Sequence, residues 1–412
     1  MRFVRAGVIL FLIATTIIIA MREHFIVLTF FDAYAEVAEV SAHFANKEII
    51  LKNITILPCN IRSEEEKRQL EEVFQHVRMH LKKTFLSAFY RGSPTLIVAL
   101  NSKHALTRYE NVSLARENSH KPIDDADLDN IISQAMWKTY EDGRRVAMEQ
   151  LKLPEAEILF ADTNVYDVII DGKKIINPLQ HTGKHIDICL SQTFVERNFF
   201  SRIVRVLSES VKAIAPIEGG VAATHLLSRM HERSNFVFAK TMEERTDLFL
   251  RTVGRASRSA FYDYFTWGTK GFFASLGKQL AVTPHVARSI LSQFVRGEVS
   301  PSLHQKLKGI LREETIVLLR GLRHASEENK SNAIFLDMPD FVGLPPEEIF
   351  PKIVQVIDVA AITNFFGFSV KTQSRFDFVT IASLLEFYFL PGENILNHLA
   401  KRRMRWLLPE GN

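Results

Sequence analysis

Cysteine is nearly missing from this chain, with only Cys59 and Cys189 among 412 residues. Two thiols in separate segments supply neither a disulfide framework nor the paired spacing of a zinc site. They fit a reducing compartment in which each is a buried structural thiol. Charge excess is missing too: 51 Lys and Arg stand against 47 Asp and Glu, a formal net charge of +4. The chain as a whole therefore lacks the field of a nucleic-acid-coating protein. There is no Gly-x-Gly-x-x-Gly loop, no low-complexity linker, and no serine in a recognisable His/Asp setting. The paired acids Asp124-Asp125 and Glu243-Glu244 read as helix-start and turn residues rather than as an acid and base.

Glycine is scarce where it would matter most. Two stretches, 25–40 (FIVLTFFDAYAEVAEV) and 236–253 (FVFAKTMEERTDLFLRTV), each run from an apolar strand through a short polar turn into a second alternating strand. A hairpin that wraps phosphate oxygens needs glycine in the turn, because only glycine lets consecutive N–H groups converge without a Cβ in the way. Here the turns carry Ala33, Tyr34 and Ala35, and then Met242, Glu243 and Glu244. Side chains fill both turns, and in the second two carboxylates are expected where an anion would sit.

What is present suffices for two or three domains: 412 residues, 47% of them apolar and 24% charged. Arg2 and Arg5 precede an uncharged apolar run over 6–21, somewhat short of the roughly 20 residues a spanning helix prefers. Two readings are open, a single-pass signal anchor or a translation start at Met21. Strands are expected at 25–31, 35–42, 48–57 and 94–100. Ser63 and Glu66 form a capping box for an amphipathic helix to about residue 90. On that helix His76 and His80 stand four apart without a companion ligand, which favours a non-metal pair. Strand, helix, an Asp171-Gly172 hairpin and a further strand make an α+β module over roughly 94–193. Beyond it come the second hairpin, helices near 270–280, 284–294 and 302–321, a strand at 332–337, and helices at 347–357 and 376–390.

This order resembles the actin-like ATPase superfamily, and most closely its FtsA and PilM branch of division and pilus-assembly proteins. Asp32 matches the acidic position of the family's first phosphate hairpin, and Tyr34 stands near its glycine. In the second hairpin Lys240 takes the place of an Asp, Met242 and Glu243 take the glycines, and Thr246-Asp247 match. Ala215-Pro-Ile-Glu218 is similar to the strand that precedes that hairpin, and Trp267-Gly268-Thr269 to the turn that follows it. Ile334–Met338 corresponds to the adenosine-side strand, without its glycine pair. The most specific likeness is Asn177-Pro178 followed by Gly183-Lys184 in the inserted module.

The resemblance implies an α/β, actin-like (ribonuclease H-like) two-lobed fold with an inserted α+β module. The expected divisions are a leader (1–21), a first lobe in two parts (22–93 and 200–235), the module (94–199), a second lobe (236–392) and a C-terminal helix (393–412). It also implies ATP and Mg²⁺, but an ammonium at Lys240 cannot hold a metal's water shell. The expected state is a degenerate cleft of Asp32, Tyr34, Lys240, Met242, Glu243, Thr246, Asp247 and Gly268, with no cofactor, no metal and no catalysis. The matching function is a scaffold at the cytoplasmic face of the inner membrane. Its partners would be a division filament protein or a pilus inner-membrane protein, bound through the module, with self-association as a further expectation. An ATP-binding homologue with unorthodox loops is the other reading of the same resemblance.

Two segments carry signals of their own. Residues 276–310 read like a helix-turn-helix, with Thr283-Pro284 as cap and first position and with His285, Arg288, Ser289 and Gln293 on one face. That makes a DNA-binding regulator the alternative function, although nucleic acid is not the expected partner. The tail, 393–408, is an amphipathic basic helix. Leu399, Trp406 and Leu407 lie on its apolar arc, and Lys401, Arg402 and Arg405 mostly opposite. A membrane-surface helix and a docking helix are both open readings.

Overall fold

The computed structural model describes residues 23–59, 66–86, 93–253, 258–341, 350–389 and 394–407. The leader, Met21 included, lies outside them, and so do the side chains of Trp406 and Leu407.

The first lobe begins with β1 (Glu23–Phe30), β2 (Tyr34–His43) and β3 (Glu48–Pro58), whose inward residues are almost all apolar. They form an antiparallel meander. Helix α1 (Glu66–Leu86) then carries the chain to β4 (Thr95–Leu100), which lies parallel to β1. Leu70, Val73, Phe74, Val77 and Leu81, the stripe read from the sequence, are all buried. His76 turns to the Glu72 carbonyl at 3.2 Å, and His80 lies buried 3.8 Å from Glu39.

The module follows as β5 (Ala105–Ala115), α2 (Asp125–Leu151), β6 (Ile158–Ile170), β7 (Lys173–Ile175) and β8 (His185–Glu196). Asp171 and Gly172 make the β6–β7 turn with φ of 47° and 81°, the left-handed pair that an Asp-Gly hairpin supplies. The chain returns through α3 (Arg197–Leu207) to β9 (Ala213–Glu218), parallel to β4, and then enters α4 (Gly219–Met230).

The second lobe repeats the plan. β10 (Phe236–Thr241), β11 (Thr246–Thr252) and β12 (Arg258–Phe265) form a meander. β13 (Ala333–Asp337) lies parallel to β10, and β14 (Val354–Val356) parallel to β13. The spatial orders β3-β2-β1-β4-β9 and β12-β11-β10-β13-β14 are the same topology twice. This duplication is the two-lobed, actin-like α/β fold. Four helices join β12 to β13: α5 (Thr269–Leu280), α6 (Pro284–Val295), α7 (Pro301–Glu314) and α8 (Ile316–Glu328). After β14 come α9 (Val359–Phe365), β15 (Ser369–Thr372), α10 (Phe378–Phe389) and α11 (Ile395–Leu407). Helices α4 and α10 pack on each other between the sheets, each almost wholly buried.

Several expected boundaries shift. Residues 94–100 are β4, a central strand of the first sheet, and α3 packs Phe199, Phe200 and Ile203 against Phe74 of α1. The module is therefore 105–196 rather than 94–199. Its sheet joins the second lobe where β5 meets β12 at Tyr109 and Ser259. Residues 369–389 belong with the first lobe, because β15 pairs with β3 and α10 packs on β1. The helix expected at 347–357 is replaced, within its described part, by β14. Val354 completes the parallel sheet there, and an apolar run of that length suits a buried strand as well as a helix.

The tail helix is docked rather than presented to a membrane. Leu396, Leu399 and Ala400 are buried in the module core beside Ile131 and Ile132 of α2. Asn397 accepts from the Val165 N–H of β6 at 2.7 Å. Lys401 faces Asp162 at 3.8 Å, and Arg402 donates to Asp129 at 2.7 Å, with Arg403 on the same carboxylate. Asp129 is held below its ordinary value mainly by the Arg403 hydrogen bond. Of the proposed membrane residues, Arg405 is exposed and Leu399 is inside the protein. The amphipathic pattern was real, but its partner is this chain's own sheet.

Candidate functional site: the seam between the lobes

The turns after β1 and β10 meet where the two lobes face each other. Phe31 and Tyr34 of the first turn stack at 4.6 Å, and the Phe31 ring lies 5.2 Å from the Lys240 ammonium of β10. Lys240 is buried and donates to Asp337 of β13 at 2.8 Å and to Asp377, just before α10, at 2.5 Å. Burial alone would lower the pKa of Lys240, but Asp337 and Asp377 outweigh it and hold the ammonium above its ordinary value. Burial pushes Asp337 up to about 6 against the pull of Lys240. Tyr34 is raised by burial and by Asp377.

Beside this cluster lies Glu36 of β2, buried at 2% exposure. It accepts from Thr380 Oγ1 at 2.6 Å and from the Asp377 N–H at 3.2 Å. Burial, and then the neighbouring Asp377, push it up to about 7.

A second cluster closes the seam from the other side. Asp32 of the first turn pairs with Lys103 at 2.8 Å and lies 3.8 Å from Arg245 of the second turn. Arg245 also meets Asp247 at 2.7 Å, donates to Ser102 Oγ at 2.8 Å and covers the Tyr264 ring at 4.6 Å. Ser102 donates to Asp247 as well. Burial pushes Asp247 up to about 6, with Arg245 pulling against it. Glu218, at the end of β9, is fully buried, accepts from the Thr107 N–H at 2.8 Å and is raised well above the ordinary carboxylate value by burial.

The donors that could cradle an anion are already engaged. The Met242 N–H donates to the Arg245 carbonyl at 2.9 Å, closing the second turn on itself. At the start of α5, where free N–H groups and the helix dipole favour an anion, Thr269 and Lys270 donate to the carbonyls of Met242 and Glu243, both at 2.9 Å. Gly268 allows this approach, since a Cβ there would stand 2.3 Å from the Glu243 carbonyl oxygen. Thr246 Oγ1 donates to the Trp267 carbonyl at 2.9 Å.

The eight residues singled out from the sequence thus converge on one seam, but with different roles. The expected plug of two carboxylates is corrected: Glu243 contributes its backbone carbonyl, and Glu244 is exposed beside Lys270 at 3.4 Å. The groups that fill the site are cationic and aromatic: Lys240, Arg245, Lys103 and Phe31. Sequence reasoning missed Arg245, Lys103, Glu36 and Asp377. Arg245 had a signal, being the one cation between the acids of a glycine-free turn. Lys103 and Asp377 enter only through the long-range pairing of β4 with β1 and of α10 with the seam.

No protein-family profile matches the chain, and no curated protein matches it. Among solved structures it is similar to the PilM–PilN type IV pilus biogenesis complex, at 13% identity over 93% of this chain and 99% of that one, with a TM-score of 0.42. It is also similar to the ethanolamine utilization protein EutJ from Carboxydothermus hydrogenoformans, at 9% identity over 89% and 90% of the two chains, TM-score 0.39. A third is an archaeal actin homologue, at 10% identity over 92% and 99%, TM-score 0.37.

Proposed function

We propose that this protein is a non-catalytic, actin-fold scaffold in which the chain's own cations replace a bound nucleotide and its metal. The observation that carries this reading is the pair of bridges across the seam, Lys240 to Asp377 at 2.5 Å and Arg245 to Asp32 at 3.8 Å. A triphosphate inserted between the turns would have to break both; the loss of Lys240 would leave buried Asp377 without its cation at about 3–5 kcal/mol, while Asp32 would keep Lys103. Organising partners, in pilus assembly or cell division, is the role that needs the two-lobed body and no turnover. The module is the surface offered to a protein partner: its strand β7 stands at the open edge of the second sheet, with Ile176 exposed just beyond it. Attachment to a membrane, if the apolar run at 6–21 is part of the protein, rests on that run, because the tail helix packs its apolar face on the module.

Titration calorimetry with Mg·ATP and Mg·ADP tests the reading. The expected result is no saturable heat into the millimolar range and no phosphate release. Stoichiometric micromolar binding would favour the ATP-binding alternative.

A further inference from the structure

The helices between β12 and β13 hold a geometry that the scaffold role leaves unused. α5 ends at Leu280, and three residues, Ala281, Val282 and Thr283, turn the chain into α6. Ala281 takes the left-handed conformation at φ 56°, and its N–H returns to α5. Gly277 packs so near the turn that a Cβ would lie 2.8 Å from the Val282 carbonyl oxygen. Thr283 caps α6 and Pro284 opens it. α6 buries Ala287, Leu291 and Phe294, and its outer side leaves His285, Arg288, Ser289 and Gln293 exposed. A short turn between two packed helices, the second polar on its outer face, is the arrangement that places a helix in a DNA groove.

Charge points to the same occupant. Residues 269–314 carry seven Lys and Arg against three Glu, so the whole formal excess of +4 resides there and the rest of the chain is balanced. Of the acids, Glu314 turns to Ser275 and Gln279 of α5, and Glu298 is paired with Arg296 at 2.9 Å. Asp340 reaches Arg288 at 3.3 Å but is itself shared with Arg375 at 3.4 Å.

We propose that α6 is a recognition helix for duplex DNA. His285, Ser289 and Gln293 would face base edges in the major groove, while Lys278, Arg288 and Arg296 neutralise flanking phosphates. Duplex RNA is the wrong occupant, because its deep, narrow major groove does not admit a helix.

The test is fluorescence anisotropy of the full chain with a labelled mixed-sequence duplex of ~20 bp, about two turns, over a salt series. The expected affinity falls with salt at a log–log slope of about −3 for three phosphate contacts. Ser289→Glu with Gln293→Glu, both on exposed positions, should weaken binding at least ~10-fold. Lys212→Glu, the same charge change on an exposed residue of the first lobe, should leave it within ~2-fold. Arg296→Ala leaves the outer face of α6 intact and should reduce the slope by about one. The proposal is overturned if the wild-type chain ignores the duplex at low salt, if Lys212→Glu is as damaging as the double change, or if duplex RNA binds equally well.

Discussion

Replacing Glu36 by Gln should stabilise the protein above neutrality and do almost nothing in mild acid. Glu36 is 2% exposed and its carboxyl is pushed up to about 7 from an ordinary 4.5, first by burial and then by Asp377. A folded-state pKa above the unfolded one means that the fold binds the proton more tightly. The group's contribution is therefore fully present below about pH 4.5 and is lost as pH rises through about 7. Two and a half units correspond to about 3 kcal/mol at most. Gln is the neutral isostere of the protonated acid, and its oxygen can accept from Thr380 Oγ1 and the Asp377 N–H as Glu36 does. Urea unfolding near pH 8 should show the variant more stable by about 1–3 kcal/mol, and near pH 4 the two proteins should coincide within about 0.5 kcal/mol. A variant destabilised equally at both pH values would refute the reasoning. So would a wild-type minus variant difference that stays flat across that window.

The other clusters give sharper losses. Lys240→Ala strands Asp337 and Asp377 in the interior and should cost about 3–5 kcal/mol near pH 8, less in mild acid where Asp337, at about 6, takes up its proton; denaturant midpoints at both pH values check this. Gly268→Ala drives a Cβ toward the Glu243 carbonyl and should cost about 1–3 kcal/mol, read as a lowered thermal midpoint. Deleting 394–412 uncovers Leu396 and Leu399 contacts worth about 1.5–3 kcal/mol each. Hydrogen exchange should accelerate in β6 and α2, while sedimentation with anionic liposomes stays unchanged.

The fold was legible because both meanders announce themselves locally: apolar alternation runs into a turn and out again at 25–40 and at 236–253. The helix stripe of α1 and the Asp171-Gly172 turn were legible for the same reason, being set by neighbours in sequence. The seam was half legible. Glycine-free turns say that side chains stand between the strands, but not which groups they meet, since Lys240 finds Asp337 and Asp377 across 97 and 137 positions of chain. The tail shows the limit most clearly. An amphipathic helix states that it has an apolar face, and only the packing of Leu396, Leu399 and Ala400 into the module core says that the face is satisfied at home. At 347–357 the short apolar run left the described part open to either period, and the vacant edge of β13 decided for a strand.

The central claim is that cations of the chain itself occupy the place between the lobes. Lysine acetylation footprinting by mass spectrometry, with and without Mg·ATP, tests it directly. The account predicts that Lys240 stays unlabelled in the native protein while exposed Lys270 and Lys278 label rapidly, and that nucleotide changes none of the three. Labelling of Lys240 at the rate of those surface lysines, suppressed when ATP is added, would contradict it.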